Sequence, residues 1–493
     1  MAPLLNNTPL PGSLSLHDIP SDNTVFKYET DVKQLVQALS PLVRKSPKQI
    51  EKLLSQSPRI NDTHTAANAP VLLVHGFFGE GQDYYWWNGM KHHHNVIVSD
   101  IGPISSQHDR VCELFYQMVG GTVDYGEEHS QKCGHARYGR TFKTPAYAEW
   151  SSENPIHIIG YSFGGNTARA LQQYLHEQRF PGYDTAADWI FSLTAIAAPL
   201  NGASIVHDVA GLSIGESSSF RALAPGKLLE RAFRLYDWMD ISVLRNNLYN
   251  PYFAHFGKTG RTEADSWSEW FSMLGASIWN TPMENSYDHG LYDMTPGKCS
   301  RMNDKMVDAF DCTYYFSFTK TLTEESSWSG IHMPTTATLL SPVGAFLGMH
   351  NYDVKSLQTM YPNLDVSTEE KVAAINNGLR RNDCVVPTVL QSHPGLCFTH
   401  ADQSVETSNY LNGLVGTHED GTAKCACAHK ATLQEHGDNL QTGKWYVTDY
   451  NNMDHGALVM TVSDLNVQKI FFKSLYSKLR ALPMPSEENY HSL

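Results

Sequence analysis

The sequence predicts an α/β fold built on a parallel sheet, and three stretches carry that prediction. Val71-Leu-Leu-Val74, Ile156-His-Ile-Ile159 and Trp189-Ile-Phe-Ser-Leu-Thr-Ala-Ile-Ala-Ala-Pro199 each hold a short apolar run of strand length. Beyond the second run the spacing of Ala168, Leu171, Leu175 and His176 turns helical, so strand gives way to helix across one turn.

With 493 residues, 41% of them hydrophobic, the chain suffices for one large catalytic domain plus attachments. Its net charge of -14 argues against nucleic acid or an anionic membrane as partner, although an acidic surface also simply keeps a protein soluble. No apolar run approaches the roughly 20 residues that span a bilayer, and no transmembrane segment is expected. The first thirty residues lack a basic start followed by an apolar core, so the expectation is a cytoplasmic protein or one secreted by a non-standard route. Eight cysteines are too few for a disulfide scaffold at this length, though individual pairs stay open.

Residues 1–66 read as an N-terminal extension: a Pro/Ser/Asn-rich start, amphipathic helices around Val32 to Leu39 and Ile50 to Leu54, then a polar linker. The catalytic domain is expected over 67–493. Its first strand, Val71–Val74, runs into His75-Gly-Phe-Phe-Gly79, a loop suited to supply an oxyanion donor through the Phe77 amide or, more simply, a glycine turn at a strand end. Gly160-Tyr-Ser-Phe-Gly164 is a G-x-S-x-G pentapeptide. The bare pattern also occurs in turns without chemistry. Set between strand and helix it is a nucleophile elbow, with Ser162 in a strained conformation and the Phe163 amide as the other oxyanion donor.

Trp189 to Pro199 is the next strand. The following excursion, about 203–235, is apolar although it joins core elements, and by itself it reads as an ordinary helical cap. Trp267, Trp270, Trp279, Tyr287 and Tyr292 then make an aromatic region expected to pack. Thr313 to Lys320 alternates enough to be a further core strand. Asp383 follows it, and His455 lies near the end behind an Asn/Asp-rich loop, which gives the chain order Ser, acid, His. Lys424-Cys-Ala-Cys-Ala-His429 could bind a metal, but without a second half it reads more simply as inert or disulfide-linked.

Gly102-Pro-Ile-Ser-Ser-Gln-His-Asp-Arg-Val-Cys-Glu113 and Val119-Gly-Gly-Thr-Val-Asp-Tyr-Gly-Glu-Glu-His-Ser-Gln-Lys-Cys-Gly-His-Ala-Arg-Tyr-Gly-Arg140 resemble the signature segments of the large thermostable bacillus and staphylococcal lipases. These are α/β-hydrolases with a structural zinc, and the similarity runs discontinuously from about Ala69 to Met460. The resemblance implies an α/β-hydrolase fold with a helical lid and an inserted zinc-binding module. It also assigns Asp383, at the family's Asn-Asp-Gly-Ile-Val segment, as the acid and His455 as the base. Among 23 histidines, Asp109, His129 and His135 would not by themselves argue for a metal. The resemblance makes them three zinc ligands, with the fourth at Asp240 or at its rival Asp237. Two imidazoles and two carboxylates close a tetrahedral site, so the zinc is expected to be structural. Family members continue after the base with a Glu that helps hold calcium, whereas this chain has Ala457, so calcium is not expected.

The expected activity is therefore hydrolysis of carboxylic esters of lipids, by a triacylglycerol lipase or carboxylesterase. Its partners would be an acyl-ester substrate and, transiently, a lipid interface. Acyl transfer to an alcohol stays open, as does a non-catalytic, zinc-stabilised interaction protein on the same fold. An intact triad argues against the latter.

Overall fold

The computed structural model describes residues 68–79, 95–215, 287–327, 329–396, 440–460 and 465–483, with 87, 219, 220, 224, 225 and short strand segments at 416–417, 423–424 and 430–432. The expected N-terminal extension, about half of the 203–235 excursion, Trp267 to Trp279, Asp237, Asp240 and Cys425 to His429 lie outside the described residues.

The elements used below are β1 (Val71–Val74), β2 (Val96–Val98), α1 (Gln107–Val119), β3 (Gly121–Asp124), α2 (Glu127–Cys133), β4 (Tyr138–Phe142), β5 (Ile156–Tyr161), α3 (Phe163–His176) and β6 (Ile190–Ile196). They continue with α4 (Gly290–Asp293), α5 (Pro296–Asn303), β7 (Tyr314–Thr321), α6 (Ser341–Met349), α7 (Glu369–Arg380), β10 (Lys430–Thr432), β11 (Trp445–Asn451) and α8 (Leu465–Arg480), while β8 (Thr323–Glu325) and β9 (His332–Pro334) form a small hairpin after β7.

Seven strands form one sheet in the order β10-β11-β7-β6-β5-β1-β2, and every pairing in it is parallel. Strand residues alternate between two cores even where both faces are buried. Val71, Leu73, Ile159, Tyr161, Phe316 and Phe318 face one core with Phe471, Phe472 and Leu475 of α8. Leu72, Val74, Ile156, Ile158 and Tyr315 face the other, with Val111, Leu114 and Phe115 of α1 and Leu171 and Leu175 of α3. All eight residues of β7 are buried, so this strand is more interior than its partial alternation implies. Seven parallel strands covered on both faces by helices make the α/β-hydrolase fold read from the sequence.

From β1 the chain steps outward to β2 and then returns to the other side of β1 as β5, so the winding reverses between β1 and β5. Loops leaving such a switch point diverge and open a crevice at the carboxyl ends of the strands. The His75 loop leaves β1 there, and Ser162 leaves β5. A third apolar cluster lies around Phe163 and takes in Ala203, Val206, Leu212 and Phe220 from the start of the excursion.

Candidate active site and metal centre

Ser162 joins β5 to α3 with φ 53° and ψ -130°, a conformation that side-chain-bearing residues seldom adopt. Its flanks leave no room for Cβ atoms. A Cβ on Gly160 would stand 2.4 Å from the Gly164 carbonyl oxygen, and one on Gly164 would stand 2.1 Å from that of Val74. The strand and helix thus cross at near contact, and the Ser162 side chain projects at the strand's carboxyl end.

Ser162 Oγ lies 2.9 Å from His455 Nε2, and His455 Nδ1 lies 2.7 Å from Asp383 Oδ2. The structure therefore brings together the three residues expected as nucleophile, base and acid. The carboxylate is fully engaged. Its Oδ1 accepts from the amides of Val385 at 3.0 Å and Val386 at 2.8 Å, and its Oδ2 also accepts from Gln391 Nε2 at 3.1 Å. The His455 backbone is held as well, its N–H donating to the Asp383 carbonyl at 2.7 Å and its carbonyl accepting from the Tyr161 hydroxyl at 2.9 Å and Lys320 Nζ at 2.6 Å.

The loop after β1 forms the facing wall. A Cβ on Gly76 would fall 2.8 Å from Ser162 Cβ, so its backbone runs past the serine at contact distance. The rings of Phe77 and Phe163 meet edge to face at 6.5 Å, so the two residues whose amides are the expected oxyanion donors are neighbours. Phe163 is the first residue of α3, so its N–H has no carbonyl within the helix to serve. Buried Arg110 braces this wall: its guanidinium donates to the carbonyls of His75 and Gly102 and to Thr167 Oγ1 on α3. Burial, with the Arg110 charge beside it, lowers the His75 pKa to about 3, so this histidine is neutral.

The second cluster lies where α1, α2 and the segment before α4 converge. His129 Nε2 stands 3.1 Å from Asp109 Oδ1 and 3.3 Å from Asp288 Oδ1, while His135 Nε2 stands 3.2 Å from Asp288 Oδ2 and 3.8 Å from Asp109 Oδ1. Ligands about 2.0 to 2.1 Å from a tetrahedral zinc are about 3.3 Å apart along each edge, close to this set. The donors suit such an ion in kind, and they fall into two overlapping groups that share His129, one with Cys133, His135 and Asp288 and one with His108 and Asp109. Burial disfavours charge on His129, but the hydrogen bonds to Asp109 and Asp288 outweigh it and raise its pKa to about 12. Burial likewise opposes ionisation of Asp288, yet the two histidines hold its carboxyl well below the usual range. Imidazoles gathered around two buried carboxylates are a donor set that a metal cation suits. Cys133, on the helix of His129, adds a thiol to the same neighbourhood.

Asp288 is a further candidate for the fourth ligand. The sequence reading placed that ligand at Asp240 or Asp237, which lie outside the described residues; among those described, Asp288 stands against both His129 and His135. Asp109, His129 and His135 come together as expected.

Residues 65–180 match the family model described as "Lipase-like, C-terminal domain". The chain is 27% identical over 343 residues to a lipase of Staphylococcus hyicus, covering 63% of this chain and 47% of that one, and 26% identical over 427 residues to lipase 2 of Staphylococcus aureus, covering 79% and 55%. The chain is a relative of the staphylococcal lipases. It spans about half the length of these curated relatives. Among solved structures, the Staphylococcus hyicus lipase superposes with a TM-score of 0.57 at 21% identity, over 87% of this chain and 98% of that one. EstA from Clostridium botulinum gives 0.56 at 23%, over 93% and 98%. These likenesses establish the fold.

Several residues of this lipase relative's site escaped the sequence reading. Asp288 lies far from His135, and no spacing rule links the two. Gln391, Tyr161 and Lys320 act through contacts that only the folded chain creates. Tyr161, inside the elbow pentapeptide, was the one with a local signal. Its hydroxyl, buried on a core strand, required a partner.

Proposed function

We propose that the protein hydrolyses carboxylic esters of lipids through an acyl-enzyme formed on Ser162. The observation that carries this reading is the continuous contact from Ser162 Oγ through His455 to Asp383, at 2.9 and 2.7 Å. In the first half-reaction His455 Nε2 takes the proton from Ser162 as Oγ attacks the ester carbonyl, then returns it to the departing alcohol. In the second, His455 deprotonates a water that attacks the acyl-enzyme, and the carboxylic acid leaves as Ser162 recovers its proton. Asp383 holds the Nδ1–H tautomer and stabilises the imidazolium. The amides of Phe77 and Phe163 are the donors proposed for the tetrahedral oxyanion. An acyl chain suits the apolar cluster around Phe163, Val206, Leu212 and Phe220 beside the serine.

Asp109, His129, His135 and Asp288 would hold one zinc ion. When bound, the ion cross-links α1, α2 and the segment before α4, and with four protein ligands it keeps no position for a substrate or water. Its influence on the site would pass through Arg110, next to Asp109 on α1, which holds the His75 carbonyl.

A panel of p-nitrophenyl esters from short to long acyl chains tests the activity. Wild-type protein should turn them over and Ser162→Ala should lose the rate by several orders of magnitude while remaining folded. A folded Ser162→Ala protein that keeps more than a tenth of the activity would overturn the reading.

A further inference from the structure

Lys320 is a charged side chain in an unusual place. It lies near the end of β7, paired with Tyr450 of β11, and is wholly excluded from solvent. Removing an ammonium from water is costly, and a methionine would fill a similar volume in a buried strand without that cost. Packing therefore gives no reason for the charge. Its contacts do. Nζ donates to the His455 carbonyl oxygen at 2.6 Å, the oxygen that also accepts from the Tyr161 hydroxyl at 2.9 Å, and it lies 5.4 Å from the Tyr161 ring centroid.

We propose that Lys320 is a positioning residue for the base of this site: with Tyr161 it anchors the His455 carbonyl and so keeps the imidazole within reach of Ser162. The proposal rests on the reading of Ser162, His455 and Asp383 as a hydrolytic triad. His455 belongs to the turn after β11, and both polar atoms of its backbone are gripped, the N–H by the Asp383 carbonyl and the C=O by Lys320 and Tyr161. The same residue reaches the acid. The Lys320 N–H donates to Gln391 Oε1 at 2.9 Å, and Gln391 Nε2 donates to Asp383 Oδ2 at 3.1 Å. One residue of β7 thus sets the acid and the base relative to each other. Charged and titratable groups facing the ammonium are Asp383 and Asp454, whose negative charges favour it, together with Tyr161 and His455. Burial outweighs those carboxylates and lowers the lysine's pKa to about 8.

The test uses the full chain, p-nitrophenyl butyrate as substrate and a fluorophosphonate probe for Ser162. Lys320→Met should lower kcat on the order of 10- to 100-fold with KM little changed, because a base displaced by a fraction of an ångström still lets the ester bind. Probe labelling should slow in parallel, Lys320→Arg should recover part of the loss, and Tyr161→Phe should lower kcat less than Lys320→Met. Wild-type kcat should fall as pH rises through about 8, where the ammonium loses its charge, with KM steady; Lys320→Met should lack that fall. A folded Lys320→Met with wild-type kcat would overturn the proposal, as would a loss in which activity merely tracks the folded fraction. If Lys320→Met does not fold, Lys320→Gln is read in its place, and a folded Lys320→Gln with wild-type kcat overturns the proposal. Ser162→Ala separates the two readings: if that variant remains active the triad itself is wrong, and if it is dead while Lys320→Met is fully active only the role of Lys320 falls.

Discussion

Asp383 meets His455 twice, its carbonyl accepting the histidine's backbone N–H at 2.7 Å and its Oδ2 facing the ring Nδ1 at 2.7 Å. The acid therefore fixes both where the imidazole is attached and which way it turns. Because the amides of Val385 and Val386 both donate to Oδ1, an asparagine here must direct its oxygen to them and its NH2 to the ring. The ring would then keep its proton on Nε2, the wrong tautomer for a base. Asp383→Asn should leave the fold intact and lower kcat roughly 10,000-fold, read by ester turnover beside circular dichroism.

Gly164→Ala tests the elbow as a packing constraint. Its Cβ would lie 2.1 Å from the Val74 carbonyl oxygen, where neither backbone can yield, so the substitution should cost at least about 3 kcal/mol in denaturant unfolding or prevent folding. Gly182 is the control. It has a positive φ of 88°, which Gly164, inside a helix, does not, and nothing lies within 4 Å of the added carbon, so alanine there should cost only about 1 kcal/mol, from backbone strain alone. Equal costs would mean that the contact between Gly164 and the Val74 carbonyl is relieved by local adjustment.

Metal analysis of the purified protein should find one zinc per chain. Chelation should lower Tm first, with activity following only as the support of the His75 loop loosens. Asp288→Ala should abolish zinc retention, and Asp240→Ala should not. Zinc lost on Asp240→Ala and kept on Asp288→Ala would return the fourth ligand to the segment first expected.

Lys320 also gives stability a dependence on pH that can be isolated by difference. Its pKa falls from 10.5 to about 8 on folding, so between those values the unfolded chain carries the proton and the folded chain does not. Raising the pH through that window favours the folded state. Relative to Lys320→Met, the wild type should gain roughly 3 kcal/mol between pH 7 and pH 10.5, measured by urea unfolding at several pH values. A difference that stays constant would show that the lysine keeps an ordinary pKa in the fold.

Sheet strands and elbow were legible because their signals are local: buried β-branched runs, a change of period and a glycine pair around Ser162. Asp383 and His455 could be picked only with the help of chain order and resemblance, since neither carries a local pattern. Asp288 did not stand out because residues brought together by docking separate segments share no spacing. Its segment is set in place by a contact between backbones, Gly290 N–H donating to the Ile104 carbonyl at 3.0 Å, in which side-chain identity plays no part. Lys320 was invisible for a further reason. Within an apolar strand a lone lysine reads as an edge residue, and only the order β6-β7-β11 makes it central.

The serine and its base lie 293 residues apart, and the base follows β11, the strand inserted between β7 and β10. During synthesis the elbow can therefore leave the ribosome and fold against β1 well before its proton acceptor exists. A nascent chain stalled anywhere before residue 455 holds an inert hydroxyl, and so does a proteolytic product that has lost the end of the sheet. Assembly of the triad therefore reports that the strand carrying the base has docked beside β7.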